Sequence, residues 1–353
     1  MGTMAARTKL FISKKIKTPN IPSPQSTPNT LNTPTIPTTH NYLMEQPIIA
    51  PIDKAILKEE LANKATLLRH ARKGGTDIYI FNGNECPNLM REVGRLREIV
   101  FREAGGGTGL ECDVDHYDYM ETPYMQLIVW EPKEEAILGG YRYIYGPDIR
   151  FDQKGQPILA TSHMYYYSDK FIREYLPYMM ELGRSFVIVD RQSSRSGARS
   201  LFTLDNLWDG LGALAVTLKG CKYYYGKFTM YPTFPELGRN MILYFQKKYF
   251  PDPDHLVYPY HPLETNTDIE AMAKLFCKDN FHDDYKILNC EVRKLGINIP
   301  PLVNAYMLLS PTMKTFGTAI NDEFGNVEES GILITIDDIF QDKHERYIDS
   351  FEG

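Results

Sequence analysis

The stretch Tyr124-Met-Gln-Leu-Ile-Val-Trp130, the turn Glu131-Pro-Lys-Glu-Glu135 and the run Ala136-Ile-Leu-Gly-Gly-Tyr-Arg-Tyr-Ile-Tyr145 decide the fold class. Two runs rich in β-branched and aromatic residues, joined by a short polar turn, read as a β-hairpin. Upstream, Asn88–Glu103 puts Leu89, Val93, Leu96 and Val100 on one helical face and stops at Gly105-Gly106-Gly107. Asp77–Phe81 reads as a strand ended by Asn-Gly, and Asp53–Arg72 spaces Ile56, Leu57, Leu61, Leu67 and Leu68 as one amphipathic helix. Downstream, Ser185–Val189 is a short strand, Leu204–Lys219 a helix and Tyr223–Phe228 a strand. Pro235–Tyr249 is a helix with proline in its first turn, and Ile332–Ile336 a late strand. Strands and helices alternating around a hairpin predict an α/β fold, with a mixed central sheet flanked by helices.

Composition sets the outer limits. Of 353 residues 43% are hydrophobic, enough for a large core, so a wholly disordered chain is excluded. The formal net charge of -6 provides no basic field to draw the chain to nucleic acid. Five scattered cysteines, without a CxxC pair, suit a reducing cytoplasm rather than a disulfide framework or a thiolate zinc site. No apolar run reaches the roughly 18 residues of a membrane span. Basic residues near the N-terminus have no apolar segment behind them, so no secretory signal is expected. The expectation is a cytoplasmic protein, at most peripheral to the inner membrane. Residues 1–43 carry Arg7, Lys9, Lys14, Lys15 and Lys17 without an acid, then the Pro/Thr/Asn-rich Thr18–Thr39. They read as a disordered arm, either touching anionic lipid or, as expected here, lying upstream of a working start at Met44.

Three arginines sit where burial demands an anion. Arg97 is bracketed by Leu96 and Val100 at the edge of the apolar stripe, unlike Arg91, Arg95 and Arg102, which read as a solvated face. Arg142 falls mid-strand after Gly139-Gly140, a pair that suggests a bulge or close approach by another backbone or a ligand. Arg184, in Glu181-Leu182-Gly183-Arg184-Ser185, is expected with Glu181 at the mouth of the following strand. The partners lie in Glu111-Cys112-Asp113-Val114-Asp115-His116-Tyr117-Asp118, which lacks the glycine and glutamate of a calcium loop. This stretch reads as a carboxylate cluster that holds the arginines and a substrate ammonium. The stretch Arg191-Gln-Ser-Ser-Arg195-Ser-Gly-Ala-Arg199 holds three arginines and no acid. His255, His261 and His282 have no metal spacing and read as structural. The runs Tyr165–Tyr167 and Tyr223–Tyr225 read as sheet packing, with the lining of an acyl tunnel as the alternative.

Leu96-Arg97-x-x-Val100-Phe101, Asp115-x-x-Asp118, Gly-x-Tyr-Arg142 and Glu181-Leu-x-Arg184 in this order resemble the acyl-homoserine-lactone synthases. The pattern more closely resembles the ornithine-lipid-type, hemolysin-like N-acyltransferases of the GNAT superfamily, and among them the branch making glycine lipids. Tyr167-Ser168 before Phe171, Leu207-Trp208 and Ile299-Pro300-Pro301-Leu302-Val303-x-Ala305-Tyr306 extend the likeness over roughly residues 88–340. The resemblance implies a GNAT-like domain over 44–345, including a C-terminal extension. It implies transfer of a (3-hydroxy)fatty acyl chain from acyl carrier protein to the α-amine of a glycine- or ornithine-type acceptor. It also implies functional roles for Arg97, Asp115, Asp118, Arg142, Glu181 and Arg184, with Glu181 expected as the base. The donor is expected as an acyl-phosphopantetheine, lying along the strand at Phe186, with Arg191, Arg195 and Arg199 docking the acidic carrier. Ser194 stands before Gly197 where the usual GNAT pyrophosphate loop has Gln or Arg, which favours the carrier protein over coenzyme A. No bound cofactor, metal or nucleic acid is expected, and a second O-acyltransferase is expected to act on the product. The alternatives are an autoinducer synthase, or a non-enzymatic lipid-binding, hemolysin-like protein.

Overall fold

The computed structural model describes residues 45–188 and 196–351, the side chains of 196–201 excepted. The expected arm, residues 1–43, lies outside the described residues. The chain runs α1 (Lys54–Asn63), β1 (Thr66–His70), β2 (Asp77–Asn82), α2 (Pro87–Ala104), β3 (Met125–Glu131), β4 (Ala136–Tyr145), β5 (Tyr165–Tyr167) and α3 (Asp169–Glu174). It continues through β6 (Met179–Val187), α4 (Ser196–Thr217), β7 (Tyr223–Met230), α5 (Glu236–Tyr249), β8 (Val257–Pro259), α6 (Ile269–Leu275) and α7 (Phe281–Lys294). The last elements are α8 (Pro301–Met307), β9 (Lys314–Asn321), β10 (Val327–Thr335) and α9 (Gln341–Tyr347). An eight-stranded sheet has the order β1-β2-β3-β4-β6-β7-β10-β9, while β5 and β8 pair apart from it. The fold is thus α/β with a mixed sheet flanked by helices, and β3–β4 is the hairpin that the sequence predicts.

The pairing β6–β7 is parallel, with α4 as the crossover between them, and its ladder ends after four residue pairs, at Leu182 opposite Gly226. Beyond that point the β6 edge facing β7 has no ladder partner among the described residues. On its other edge β6 carries a bulge: Gly183 opposes Arg142 and Phe186 opposes Gly140, so Arg184 and Ser185 together face Tyr141. Arg184 adopts φ 49°, the left-handed region that a side chain enters at a cost of about 1–3 kcal/mol. Gly139 admits the Phe186 backbone here, since a Cβ at 139 would stand 2.6 Å from the Phe186 carbonyl oxygen.

Two expectations are corrected. Asp53–Arg72 is not one helix: α1 ends at Asn63, and Thr66–His70 turns back on β2 through Gly74 and Gly75, at φ 84° and 67°. The spacing of Leu67 and Leu68 imitates a helix, but that glycine pair closes a hairpin, and Leu67 is 41% exposed. Of the expected short strand Ser185–Val189, Ser185–Val187 is the end of β6 and Val189 lies outside the described residues, so Glu181 and Arg184 lie within the strand and not at its mouth.

Alternation along the strands separates the cores. One face carries Leu127, Val129, Tyr143, Leu182 and Phe228 against α4, α5, α7 and α8. The other face carries two apolar clusters. Ile128, Trp130 and Val327 pack with α1 and α2, whereas Ile144, Tyr225 and Leu333 pack with the β5 and α3 region. Between those two clusters the same face is polar on successive strands: Gln126 on β3, Arg142 on β4, Glu181 on β6, Lys227 on β7 and Glu329 on β10. Among the described residues no helix is long and apolar enough to cross a membrane.

Candidate active site

The polar seam is stitched by ion pairs. Arg97, on the inner face of α2, is fully buried, its Nη1 lying 3.5 Å from Asp118 Oδ2 and its Nη2 donating to Gln126. Gln126 in turn donates to Asp118 Oδ1 at 3.0 Å. Arg142 donates to Asp115 at 2.7 Å, lies 3.5 Å from Asp118 and stands over the rings of Tyr124 and Tyr117. Arg184 reaches Asp113 at 3.0 Å and Asp115 at 3.8 Å, with its guanidinium 4.3 Å above the Phe324 ring. The acidic stretch can do this because His116–Asp118 forms a single 3-10 turn: Asp115 accepts from Tyr117 N, and Asp118 accepts from Asp115 N at 3.1 Å. The structure therefore brings Arg97, Asp115, Asp118, Arg142 and Arg184 into one network. It adds Gln126 and Tyr124, which sequence reasoning did not assign, and it singles out Asp113 from the acidic stretch.

Electrostatics follow from burial. Burial alone would raise the Asp115 carboxyl, but Arg142 and Arg184 outweigh it and hold the group down at about 2. Arg142 is raised, since Asp115 and Asp118 outweigh its own desolvation. Asp113 moves up because burial dominates over Arg184 and Arg97. The depressed Asp115 value sets a sign: its stabilisation is present above the unfolded carboxyl value near ~3.9 and is lost as pH falls through about 2. Asp115→Asn should therefore melt below wild type at neutral pH, with the gap closing between those two values. A gap that stays constant on acidification would contradict this assignment.

Glu181 occupies a different position. Its two oxygens accept from Thr161 at 2.6 Å and from Tyr124, and Thr161 is itself 2.5 Å from the Tyr167 hydroxyl. Among the described residues no cation reaches it within ion-pair distance, and burial raises its pKa against those hydrogen bonds and the more distant Arg142 and Lys227. The tyrosine runs belong to this layer: Tyr165, Tyr167 and Tyr225 are buried in the sheet-packing cluster.

A cavity of about 230 Å³ opens where β6 and β7 part. Its polar wall is Arg184, Lys227, Thr229 and Glu329, and its apolar wall is Leu182, Phe228, Val303 and Tyr306. Residues from both faces of the sheet thus line one space, which passes through the sheet at the splay. Glu181 lies behind that wall: its neighbour Leu182 lines the cavity while its own carboxylate faces Thr161 and Tyr124. Phe186 is buried in the α2-side cluster. Arg191 and Arg195 lie outside the described residues, as does the side chain of Arg199. Among the described residues no group of three or more His, Cys, Asp or Glu is arranged to hold a metal ion. Lys227 and Glu329 escaped sequence reasoning because β7 and β10 meet only in the fold. No local signal marks them, since Glu328 and Ser330 flank Glu329 on β10 and β7 also carries Thr229.

Residues 96–201 match the acetyltransferase (GNAT) domain family. Over 304 residues the chain is 60% identical to a glycine N(alpha)-acyltransferase of Bacteroides thetaiotaomicron, spanning 86% of this chain and 90% of that protein. It is 58% identical over 304 residues to a glycine N(alpha)-acyltransferase of Phocaeicola vulgatus, spanning 86% of this chain and 93% of that one. A solved CoA-dependent acyl-homoserine lactone synthase, with SAM and isopentyl-CoA, aligns over 43% of this chain and 65% of its own at 14% identity. Its TM-score of 0.25 is too low to carry an argument.

Proposed function

As a member of the glycine N(alpha)-acyltransferase family and an acyltransferase of GNAT type, this chain, we propose, joins a fatty or 3-hydroxy fatty acyl group to the α-amine of glycine. Beside the kinship, the observation that carries this reading is the cavity at the β6–β7 splay, with a charged wall on one side and an apolar wall on the other. The donor is an acyl thioester on the phosphopantetheine of acyl carrier protein, its carbonyl lying at the splay. The N–H groups of the β6 edge, free of ladder partners there, meet the oxygen that becomes negative. The amine attacks, the N–C bond forms and the C–S bond breaks. Glu181 takes the proton from the attacking nitrogen, through an intervening water, and the same proton passes on to the departing thiolate, which leaves as the thiol. Its raised pKa and its lack of a paired cation suit it to this. Arg97, Arg142 and Arg184 hold Asp113, Asp115 and Asp118 in the charged wall. Arg191, Arg195 and Arg199 dock the acidic carrier, and Phe186 backs the strand along which the pantetheine lies. The product is an amphiphile delivered at the membrane surface, where an O-acyltransferase acts on it next.

The test is direct. Purified protein with a 3-hydroxyacyl carrier protein and glycine should yield N-acylglycine by mass spectrometry, while the matching acyl-coenzyme A should be a poorer donor. Absence of N-acylglycine with either donor overturns the glycine assignment; equal use of coenzyme A overturns the carrier preference.

A further inference from the structure

We infer that Lys227 and Glu329 form the acceptor subsite, a pair that reads the zwitterion of a small amino acid, Lys227 its carboxylate and Glu329 its ammonium. This rests on the reading above, that the acceptor is glycine. The two side chains are ion-paired in the polar wall of the cavity, at the end of the seam. Glu329 is fixed from three sides: Lys227 and Asn321 donate to its Oε2, the latter at 3.0 Å, and Thr229 donates to Oε1 at 3.1 Å. A carboxylate offers about four acceptor sites, so one remains for an incoming ammonium. The Lys227 ammonium has three donors, of which the contact with Glu329 engages one. Arg184, its guanidinium over Phe324, stands in the same wall and adds positive charge on the carboxylate side.

The remaining lining restricts what else enters. Tyr141 is buried, and its hydroxyl stands at the cavity wall beside those of Ser185 and Tyr306. At about 230 Å³ the cavity is smaller than the roughly 300–1,000 Å³ of drug-sized sites. It suits a thioester end and an amino acid with little or no side chain. Burial would raise the Glu329 carboxyl, but Lys227 outweighs it and keeps the group ionised, as an ammonium receptor requires. Opposed charges about three bonds apart in the ligand then meet opposed charges already paired in the protein.

Glycine and glycinamide, which keeps the amine but lacks the carboxylate, decide the matter. Wild type should prefer glycine in kcat/KM by on the order of 10²-fold or more, since the amide offers Lys227 no carboxylate and brings an uncompensated positive charge beside Lys227 and Arg184. Removing Lys227 alone would strand Glu329, so the double variant Lys227→Met, Glu329→Leu removes both charges together. It should fold, lower kcat/KM for both acceptors but for glycine the more, and so narrow the preference to within a few-fold, whereas Lys227→Arg should keep it. An unchanged preference in the double variant, or no preference in wild type, overturns the subsite. If wild type acylates a different amino acid and not glycine, the acceptor assignment fails. The same comparison with that amino acid and its amide then supports or overturns the subsite by the same criterion.

Discussion

Glu181→Gln should lower turnover by on the order of 10²-fold or more, because the amide keeps the shape and the hydrogen-bonding capacity of the side chain but cannot take a proton. The hydroxyls of Thr161 and Tyr124 can rotate to serve an amide as they serve the carboxylate, so the fold should persist. The pKa fixes a second readout. Burial raises Glu181 in the folded state, so the contribution of its protonated form is present below the ordinary glutamate value and is lost as pH rises through the raised one. At neutral pH the glutamine variant is relieved of a buried unpaired charge and should be at least as stable as wild type. The rise of turnover with pH through that raised value should be absent from it. Wild-type turnover in the purified variant, or a large loss of stability with turnover lost in proportion, would remove Glu181 from the proton path.

Arg142→Ala should destabilise the protein by about 3–5 kcal/mol, the range for stripping one partner from a buried ion pair. The guanidinium is buried, is shared between Asp115 and Asp118, and packs over two tyrosine rings. Its loss leaves Asp118, fully buried, facing Arg97 alone at 3.5 Å. Arg142→Lys should recover only part of this: a single ammonium can stand where Nη1 meets both carboxylates, but it lacks the planar guanidinium that packs over Tyr117 and Tyr124. Chemical denaturation measures both. A loss under about 1 kcal/mol for the alanine variant would mean that the seam carries little of the stability.

The charged half of the site was legible because burial makes demands that composition exposes. An arginine between Leu96 and Val100, or inside an apolar strand at 142, must find an anion, and four acids in eight residues supply one. The hairpin and α2 were legible because their periodicities are unbroken. The α1–β1 boundary was hidden because leucines at three- and four-residue spacing satisfy a helix and a strand end alike. The first half of β6 was hidden because Glu, Gly and Arg disfavour strands, and a bulge is what lets them stand in one. Lys227 and Glu329 carry no local signal, since their chemistry exists only once β7 and β10 lie side by side.

The walls of the cavity also determine when it comes into being. The pairs β1–β2, β3–β4 and β9–β10 are hairpins between strands adjacent in the chain, and such loops close early and cheaply. The pairing β6–β7 waits for the α4 crossover, and β7–β10 joins Tyr225 to Leu333 across most of the C-terminal half. These are the non-local, slow closures. Lys227, Glu329 and the parted edge of β6 are thus the last surfaces to meet during folding. Substitutions among them should leave the refolding rate almost untouched and appear in the unfolding rate instead, so the working part of this protein is also its kinetic latch.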